Sequence, residues 1–283
     1  MLFRSLDDMS TGIECLLADN PDHALYLAGQ LDDMNQTRRH IEADMQRTAL
    51  AALDAMGGMQ DGQLATGICL YEPGWHQGVI GILASRVKDR LHRPVIAFAD
   101  AGDGWLKGSA RSIPGFHVRD ALDAVATSEP GLLDRFGGHA MAAGLSLRVE
   151  DFPRFAAAFD REAARCLSPD ELESVLLTDG ELAPADISLA TAELLHNSGP
   201  WGQHFPEPLF EGRFELVQQR LVGERHLKMV LRGGSELLDA IAFNVDLDRW
   251  PDTTRTEISL CYRLDVNSFR GQTSLQLVVE HLA

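Results

Sequence analysis

The chain has 283 residues, of which 45% are hydrophobic and 24% are charged, a balance typical of globular proteins and unlike that of disordered chains. Its 42 Asp and Glu outnumber 25 Lys and Arg, and the net charge of −17 taken by itself argues against a nucleic-acid partner. The four cysteines stand singly, without Cys-x-x-Cys spacing, and predict neither a zinc site nor a disulfide framework. Because no long apolar run and no signal-peptide core is present, we expect a cytoplasmic protein with no membrane partner.

A long helix is the first predicted element. Residues 20–56 carry leucine, isoleucine and methionine at near-helical spacing, which predicts one amphipathic helix or two in succession. Residues 1–61 are therefore expected to form a linker helix region. Arg38 lies on this helix, either facing a cleft, where it would bind a substrate, or in a solvated charged turn.

Strands and helices alternate after this helix. Apolar runs and turn residues predict strands at 65–71, 94–99, 106–111 and 145–149, and helices after the turn at 72–76, at 118–125 and at 152–166. The first strand, helix and strand form a βαβ unit, which requires a sheet with helices packed on it. We expect an α/β domain, a mixed sheet with flanking helices, over residues 62–167.

The pattern changes near residues 167–170 to alternating strands with short turns. Strands are predicted at 174–177, 210–221, 226–231, 237–244, 257–266 and 274–281, with one helix at 184–196. Five or six strands of this length suit a small closed barrel. Residues 168–283 are therefore expected to form a β-barrel domain of the OB-fold type.

A glycine-rich segment contains one histidine. Gly137 and Gly138 allow positive φ and close approach to a ligand, and the small residues after His139 predict a short helix with almost no side-chain bulk on one face. The N–H groups at the start of such a helix favour an anion, and the imidazole adds a donor or moves a proton. The alternative is a turn histidine whose ring is satisfied by a neighbouring carbonyl group.

Two hydroxyl groups flank a guanidinium group at the end of a predicted strand. Arg111 offers a planar fork for phosphate oxygens, and Ser109 and Ser112 can donate further hydrogen bonds, so the set suits a terminal phosphate. The alternative is a surface loop in which the arginine forms a salt bridge.

The turn before the second predicted helix is a further candidate for ligand contact. His76 and Gln77 precede a helix N-terminus, where backbone donors are open to an anion, and either side chain could face the cleft. Trp75 is expected to pack in the core.

Basic residues concentrate in two parts of the acidic chain. Residues 75–119 contain 7 Lys and Arg against 3 Asp and Glu, and residues 213–232 contain 5 against 2. The second group lies in the predicted barrel, where basic groups follow phosphates and aromatic faces stack on bases. Phe243 is expected in the core, and the candidate binding residues are Arg225, Lys228, Arg270 and Tyr262.

Five segments together resemble the C-terminal half of RecJ-like enzymes, the bacterial 5′-to-3′ single-stranded-DNA exonucleases. They are Leu-Asp-Asp-Met-Ser at 6–10, Trp-His-Gln-Gly-Val-Ile-Gly at 75–81, Gly-Ser-Ala-Arg-Ser-Ile at 108–113, Gly-Gly-His-Ala at 137–140 and the segment from Gly-Pro-Trp-Gly at 199–202 to Pro-Leu-Phe at 208–210. The resemblance covers nearly the whole chain.

The resemblance implies a division of labour in a DNA repair and recombination enzyme. Members of this family hold Mg or Mn in an N-terminal domain named for its Asp-His-His motif, which does not occur here, so the chain is interpreted as truncated, without a metal site and inactive alone. Ser109 and Arg111 are expected to take the 5′-phosphate end, and His139 is expected to contribute to catalysis. The expected partners are single-stranded DNA, the missing catalytic domain and, as a further candidate, single-strand-binding protein.

Two other functions stay open. One is a regulatory or scaffold module that binds a partner protein through the acidic surface. The other is part of a phosphodiesterase that acts on short oligonucleotides or cyclic dinucleotides.

Overall fold

The computed structural model describes residues 9–55, 64–202, 205–223, 225–269 and 271–283. They form two compact units that divide between Ser174 and Val175. Residues 6–8 of the first motif and Arg270 lie outside the described residues.

Two helices open the first unit, α1 (Ser10–Leu17) and α2 (Pro21–Ala55). Asn20 begins α2, because its side-chain Oδ1 accepts hydrogen bonds from the backbone N–H groups of Asp22 and His23 at 2.9 and 3.3 Å. The expected long helix is confirmed as a single helix of 35 residues. Within the described ranges, no helix is both long and apolar enough to cross a membrane.

The rest of the first unit is a five-stranded sheet with helices on both faces. Its elements are β1 (Ile68–Tyr71), α3 (Ile80–Leu91), β2 (Val95–Gly102), β3 (Trp105–Arg111), α4 (Val118–Ser128), β4 (Arg135–Gly138), β5 (Ala142–Arg148) and α5 (Phe152–Cys166). The strand order is β1-β2-β3-β5-β4, with β1 and β2 parallel and the other neighbours antiparallel. The expected mixed α/β sheet is confirmed.

Strand β2 divides the core between the two faces of the sheet. Ile96 and Phe98 point to the face that packs against α4 and α5, whereas Val95, Ala97 and Ala99 point to the face that packs against α2 and α3. A strand buried on both faces needs a continuous apolar run, and residues 95–99 have one.

The Gly-Gly-His segment forms a β-hairpin, so the expected short helix was wrong. Strand β4 ends at Gly138, and the backbone N–H of His139 donates a 2.8 Å hydrogen bond to the carbonyl oxygen of Ala142, where β5 begins. Gly144 pairs with Ser109 in the ladder between β5 and β3. These ladder bonds to a distant part of the chain outweigh the helix propensity of the alanines.

The second unit is a closed five-stranded barrel, with one α-helix among its described residues, as the OB-fold expectation required. Its elements are α6 (Leu189–Ser198), β6 (Phe210–Val222), β7 (His226–Gly233), β8 (Glu236–Ala242), β9 (Glu257–Phe269) and β10 (Gln272–Leu282). The barrel order is β10-β8-β7-β6-β9, and the parallel pairing of β10 with β8 closes it.

Two element predictions in this unit need correction. Residues 174–177 form no strand, and Leu177 is 85% exposed, because the chain reaches the barrel only further on, where Glu181 forms an isolated bridge with Glu211 of β6. The helix begins at Leu189 rather than near residue 184, because the Ser188 hydroxyl accepts a hydrogen bond from the backbone N–H of Thr191 at 3.2 Å and caps it there.

Candidate nucleic-acid interface

Ser109 and Arg111 lie side by side on β3. The Nη1 of Arg111 donates to the Ser109 hydroxyl oxygen at 3.1 Å and to the carbonyl oxygen of Ala110 at 2.7 Å. Within the described ranges no carboxylate pairs with Arg111, and partial burial lowers the pKa of its guanidinium, which still remains charged. A partly desolvated cation without a counter-charge favours an anion. Ser109 keeps its own hydroxyl hydrogen free to donate.

The first turn of α3 makes room for this pair. A β-carbon added at Gly81 would lie 2.9 Å from Nη2 of Arg111 and 3.0 Å from the Ser109 hydroxyl oxygen. Only a glycine lets the guanidinium and the hydroxyl approach the start of the helix this closely. The two side chains therefore lie against the first turn of α3.

The turn that carries His139 is fastened to the end of β3. The backbone N–H of Ser112 donates to the carbonyl oxygen of Met141 at 3.0 Å, and that of Val118 donates to the carbonyl oxygen of Ala140 at 2.9 Å. Arg111 pairs with Ala142 in the ladder, and the backbone of His139 is hydrogen-bonded to that same Ala142. His139 is exposed one strand away from Arg111.

The two glycines before His139 have different roles. Gly138 has φ of +150°, and an added β-carbon would lie 2.4 Å from the Ala142 carbonyl oxygen, so the hairpin itself requires glycine. Gly137 is exposed and has nothing within 4 Å of an added β-carbon. The fold therefore does not explain Gly137, whereas a ligand that approaches the backbone would.

Ser112 is withdrawn from the phosphate-binding set. It is buried, and its hydroxyl donates a 2.6 Å hydrogen bond to the carbonyl oxygen of Phe116. This bond holds the loop between β3 and α4 and leaves no exposed donor.

The turn before α3 holds His76 and Gln77, both exposed, while Trp75 is buried as expected. The Nδ1 of His76 accepts a hydrogen bond from the backbone N–H of Gly78, so the other ring nitrogen is the one turned away from the turn. The Nε2 of Gln77 donates to the Asp100 carbonyl oxygen at 2.8 Å. This bond ties Gln77 to β2, and it makes Gln77 the weaker candidate for a ligand contact.

Arg38 is engaged within the protein. Its Nη1 contacts Glu42 at 2.8 Å and its Nη2 contacts Asn35 at 3.0 Å, both on α2, and Glu42 also accepts from Arg86 of α3 at 3.2 Å. The Arg38 side chain is only 12% exposed. These contacts pack α2 against α3, and they correct the expectation of a guanidinium free to bind a substrate.

The barrel presents an aromatic ring beside a basic turn. Phe243 was expected in the core, but it is 53% exposed, because β8 ends at Ala242 and the chain turns at Asn244 with φ of +54°. The ring of His226 lies 5.2 Å from that of Phe243, edge to face. The backbone N–H of Val245 donates to the Arg225 carbonyl oxygen at 2.9 Å, which keeps this turn beside the β6–β7 turn.

Positive charge around Phe243 is only partly compensated. Arg225 is exposed, and Arg220 pairs with Lys228 in the ladder between β6 and β7. Lys228 forms an ion pair with Asp239 at 3.1 Å, whereas no carboxylate in the described part of the chain pairs with Arg220 or Arg225.

Tyr262 is withdrawn from the barrel interface. Its ring is fully buried among core residues and packs on Phe214 with ring centroids 5.5 Å apart. No base can reach it. Within the described residues its hydroxyl has no hydrogen-bond partner, and burial, then the charge of Glu181, raises its pKa to about 12.

Comparison with known proteins agrees with this architecture. A model of the DHHA1 domain matches residues 62–165, and a model of the RecJ OB domain matches residues 178–281. The single-stranded-DNA-specific exonuclease RecJ of Dickeya dadantii (strain 3937) is 56% identical over 279 residues, which cover 98% of this chain and 48% of the relative. The chain belongs to the RecJ family. The RecJ of Escherichia coli (strain K12) is 53% identical over the same shares of both chains.

A solved structure extends the similarity to the fold. The crystal structure of RecJ in complex with Mn²⁺ from Thermus thermophilus matches with a TM-score of 0.73 and 30% identity, over 97% of this chain and 38% of that chain. The chain thus spans about half the length of the curated RecJ relatives it matches.

Across the ranges that the structure describes, no three His, Cys, Asp or Glu side chains converge so as to hold a metal ion. The described residues therefore do not fit a metal centre, and no chemical step is assigned to one.

The sequence analysis missed two residues, Gly81 in the first unit and Phe243 in the second. Gly81 lies inside a helix, where glycine costs about 1 kcal/mol relative to alanine, and that cost was the available signal of a close approach. Phe243 was missed because the predicted strand, with its alternation of buried and exposed side chains, was extended to residue 244, whereas β8 ends at Ala242.

Proposed function

We propose that this chain binds the 5′-phosphate end of a single DNA strand and forms the substrate-binding part of a 5′-to-3′ single-stranded-DNA exonuclease of repair and recombination. The observation that supports it is Arg111, a partly buried guanidinium beside the Ser109 hydroxyl with no described counter-charge. The names of the RecJ relatives support the kind of substrate.

A terminal phosphate fits this arrangement chemically. It carries more negative charge than an internal phosphodiester and offers more oxygens, which suit a guanidinium fork, a hydroxyl donor and helix N–H groups. Ser109, Arg111 and the first turn of α3 supply these three kinds of donor. A 5′-hydroxyl strand offers none of that charge, so the pocket distinguishes the two ends.

His139 acts next to this pocket. Its ring is exposed in the turn between β4 and β5, and β5 pairs with the strand that carries Arg111, so the ring can donate a hydrogen bond or a proton to a phosphate oxygen. In the complete enzyme a catalytic domain outside this chain would hold Mg or Mn, and that ion would supply the activation of water. The chain alone is therefore inactive. In the complete enzyme His139→Ala should lower kcat far more than DNA affinity, and equal losses would make His139 a binding residue.

The barrel supplies a second contact with the single strand. Phe243 supplies a stacking face, and Arg225 and Lys228 supply phosphate contacts without base-edge readout. Arg270, which lies outside the described residues, stays a candidate. The same proposal includes the domain limits 62–167 and 168–283. It also includes the cytoplasmic location and the contact with single-strand-binding protein.

The test compares 5′-phosphorylated and 5′-hydroxyl oligonucleotides of equal length by fluorescence anisotropy, with the label at the 3′ end. The chain should prefer the phosphorylated strand, and Arg111→Ala should abolish that preference. Arg161→Ala is the matched control, because Arg161 pairs with Glu129 in the same unit and lies on α5, on the other face of the sheet. An unchanged preference in Arg111→Ala would show that the loop is structural.

A further inference from the structure

The sheet face that carries Ser109 and Arg111 is covered on one side and open on the other. On β2 this face consists of Val95, Ala97 and Ala99, which are fully buried under α2 and α3. On β3, β5 and β4 the same face is accessible, and Lys107 and Gly144 are exposed on it. Ser109 and Arg111 therefore stand at the border where the helical cover ends.

The ladder registers arrange this open face in rows. Ser109 pairs with Gly144, and Gly144 pairs with Gly137, which makes a row that ends in two glycines. A second row runs parallel to this one and contains Lys107, Ser146 and Arg135. It lies two residues further along the strands, at a distance of about 7 Å. On the opposite side of the glycine row lie Arg111 and Ala142.

The two glycines have no structural reason to be glycines. Neither has a positive φ, and an added β-carbon would meet nothing within 4 Å at Gly137 and only the Gly108 carbonyl oxygen, at 3.9 Å, at Gly144. Glycine in the interior of a strand weakens the sheet, and it often marks close approach of a ligand to the backbone. The row is thus a shallow trough with a bare backbone floor that begins at the 5′-phosphate pocket.

The row beside the two glycines carries positive charge, from Lys107 and Arg135, although the protein as a whole has a net charge of −17. Lys107 is exposed, and no carboxylate in the described ranges pairs with it. Arg135 is 88% exposed and has a single 3.5 Å contact with Asp134, a pair that contributes little at this exposure. Ser146 adds a hydroxyl donor between them.

We propose that this trough holds the nucleotides that follow the 5′-terminal one, with their sugars over Gly144 and Gly137 and their phosphates on Lys107 and Arg135. The inference rests on the proposed 5′-end pocket, because that pocket sets where the strand enters. It adds a second binding site, for internal phosphates, to the site for the terminal phosphate.

The experiment measures how affinity grows with strand length. Thymidine 5′-monophosphate and 5′-phosphorylated oligothymidylates of increasing length are bound to the chain and to Lys107→Ala/Arg135→Ala. Affinity for the monophosphate should not change, whereas the gain from the second and third nucleotides should fall roughly tenfold or more. The slope of log K against log salt should flatten by about 0.7 for each lost contact.

A second variant and a control complete the design. Gly144→Val fills the trough with a good strand former and no change of charge, so it should reduce the same length-dependent gain while the unfolding midpoint holds or rises. The control is Arg154→Ala/Arg161→Ala, which removes two positive charges that pair with Glu129 on the other face of the sheet. It should leave the length dependence unchanged.

The outcomes separate this inference from the proposed function. If Lys107→Ala/Arg135→Ala keeps the full gain with length, or loses monophosphate affinity equally, the trough is not a strand site. If Arg111→Ala has no effect on the end preference while the double variant loses the gain, the trough stands and the 5′-end pocket fails. If the unaltered chain binds no strand, both are overturned.

Discussion

Gly81 and Arg111 are so close that α3 has no room for even a methyl group at this position. The atoms in the way are the far end of the flexible Arg111 side chain and the Ser109 hydroxyl oxygen, both of which can rotate aside. We therefore expect Gly81→Ala to hold or raise stability by about 1 kcal/mol, as alanine does in a helix, while it displaces the guanidinium and lowers the preference for a 5′-phosphate roughly tenfold.

The matched control for this variant is Gly29→Ala in α2, where an added β-carbon has nothing within 4 Å. Urea unfolding and oligonucleotide anisotropy on both variants give the comparison. Gly29→Ala should gain similar stability and keep the preference. A Gly81→Ala chain with unaltered preference would mean that the close approach has no role in binding.

The two serines beside Arg111 should respond in opposite ways. Ser112→Ala removes the hydroxyl that bonds to Phe116 in a buried loop, and we expect a loss of about 1–3 kcal/mol in unfolding free energy with an unchanged 5′-phosphate preference. Ser109→Ala should reduce the preference and leave the unfolding free energy nearly unchanged. A binding defect in Ser112→Ala without loss of stability would return it to the phosphate pocket.

Tyr262→Phe should leave the barrel as stable at neutral pH or more stable by about 1 kcal/mol, because it removes a buried hydroxyl without a described partner. The pKa of Tyr262 is raised to about 12 in the fold, against about 10 in the unfolded chain. The stability that the neutral Tyr262 contributes to the fold is thus fully present below pH 10 and is lost as pH rises from 10 towards 12.

Urea midpoints measured from pH 8 to 11.5 test this. The gap between Tyr262→Phe and the unaltered chain should widen in favour of phenylalanine above pH 10. Strand binding at neutral pH should be the same for both. A parallel course of the two curves would mean that this hydroxyl ionises as freely in the fold as in the unfolded chain.

Phe243 should matter for strand binding more than its predicted core position suggested. Loss of one stacked base costs about 1–3 kcal/mol, so Phe243→Ala should weaken oligonucleotide binding without flattening its salt dependence. Leu237→Ala, which removes an equally exposed apolar side chain from β8, is the control and should have little effect. Equal losses in the two variants would point to nonspecific hydrophobic contact.

Arg225→Ala should weaken binding more than Lys228→Ala, because Lys228 is already paired with Asp239 and Arg225 has no described counter-charge. Titrations at several salt concentrations should show a slope about 0.7 shallower for Arg225→Ala. Arg232→Ala, whose arginine pairs with Glu215, controls for net charge. Identical slopes in all three variants would contradict a local contact.

Periodicity in the sequence predicted the fold of both domains and most of their elements, but neither α1 nor β4. The alternation of Leu260, Tyr262 and Leu264 on β9 also indicates that Tyr262 points into the barrel. The interpretation of its ring as a stacking face was wrong because it did not use this alternation. What periodicity could not supply was pairing between distant segments. Small residues around Gly144 suit a helix or a strand, and only the ladder with β3 decides between them.

The same limit applies to the candidate site, where local chemistry could be predicted and contacts between distant segments could not. Ser109, Arg111 and His139 were selected from local residue chemistry, and their roles as ligand contacts stay predictions. Ser112 was misjudged because a hydroxyl that serves a loop and one that serves a ligand look alike in sequence. Gly81 is 30 residues from Arg111, so their contact depends on how α3 crosses the sheet, which no local pattern records.

The parallel pairing of β10 with β8 joins residues 276–279 to residues 239–242. The antiparallel run from β6 to β8 can assemble from neighbouring segments, but the cylinder has two open margins until β10 arrives between β8 and β9. Both margins would then expose unpaired N–H and C=O groups and half of an apolar interior. Closure of this unit thus depends on pairing between segments that are distant in the chain, and a chain interrupted before residue 272 would leave a surface prone to aggregation in place of a less stable barrel.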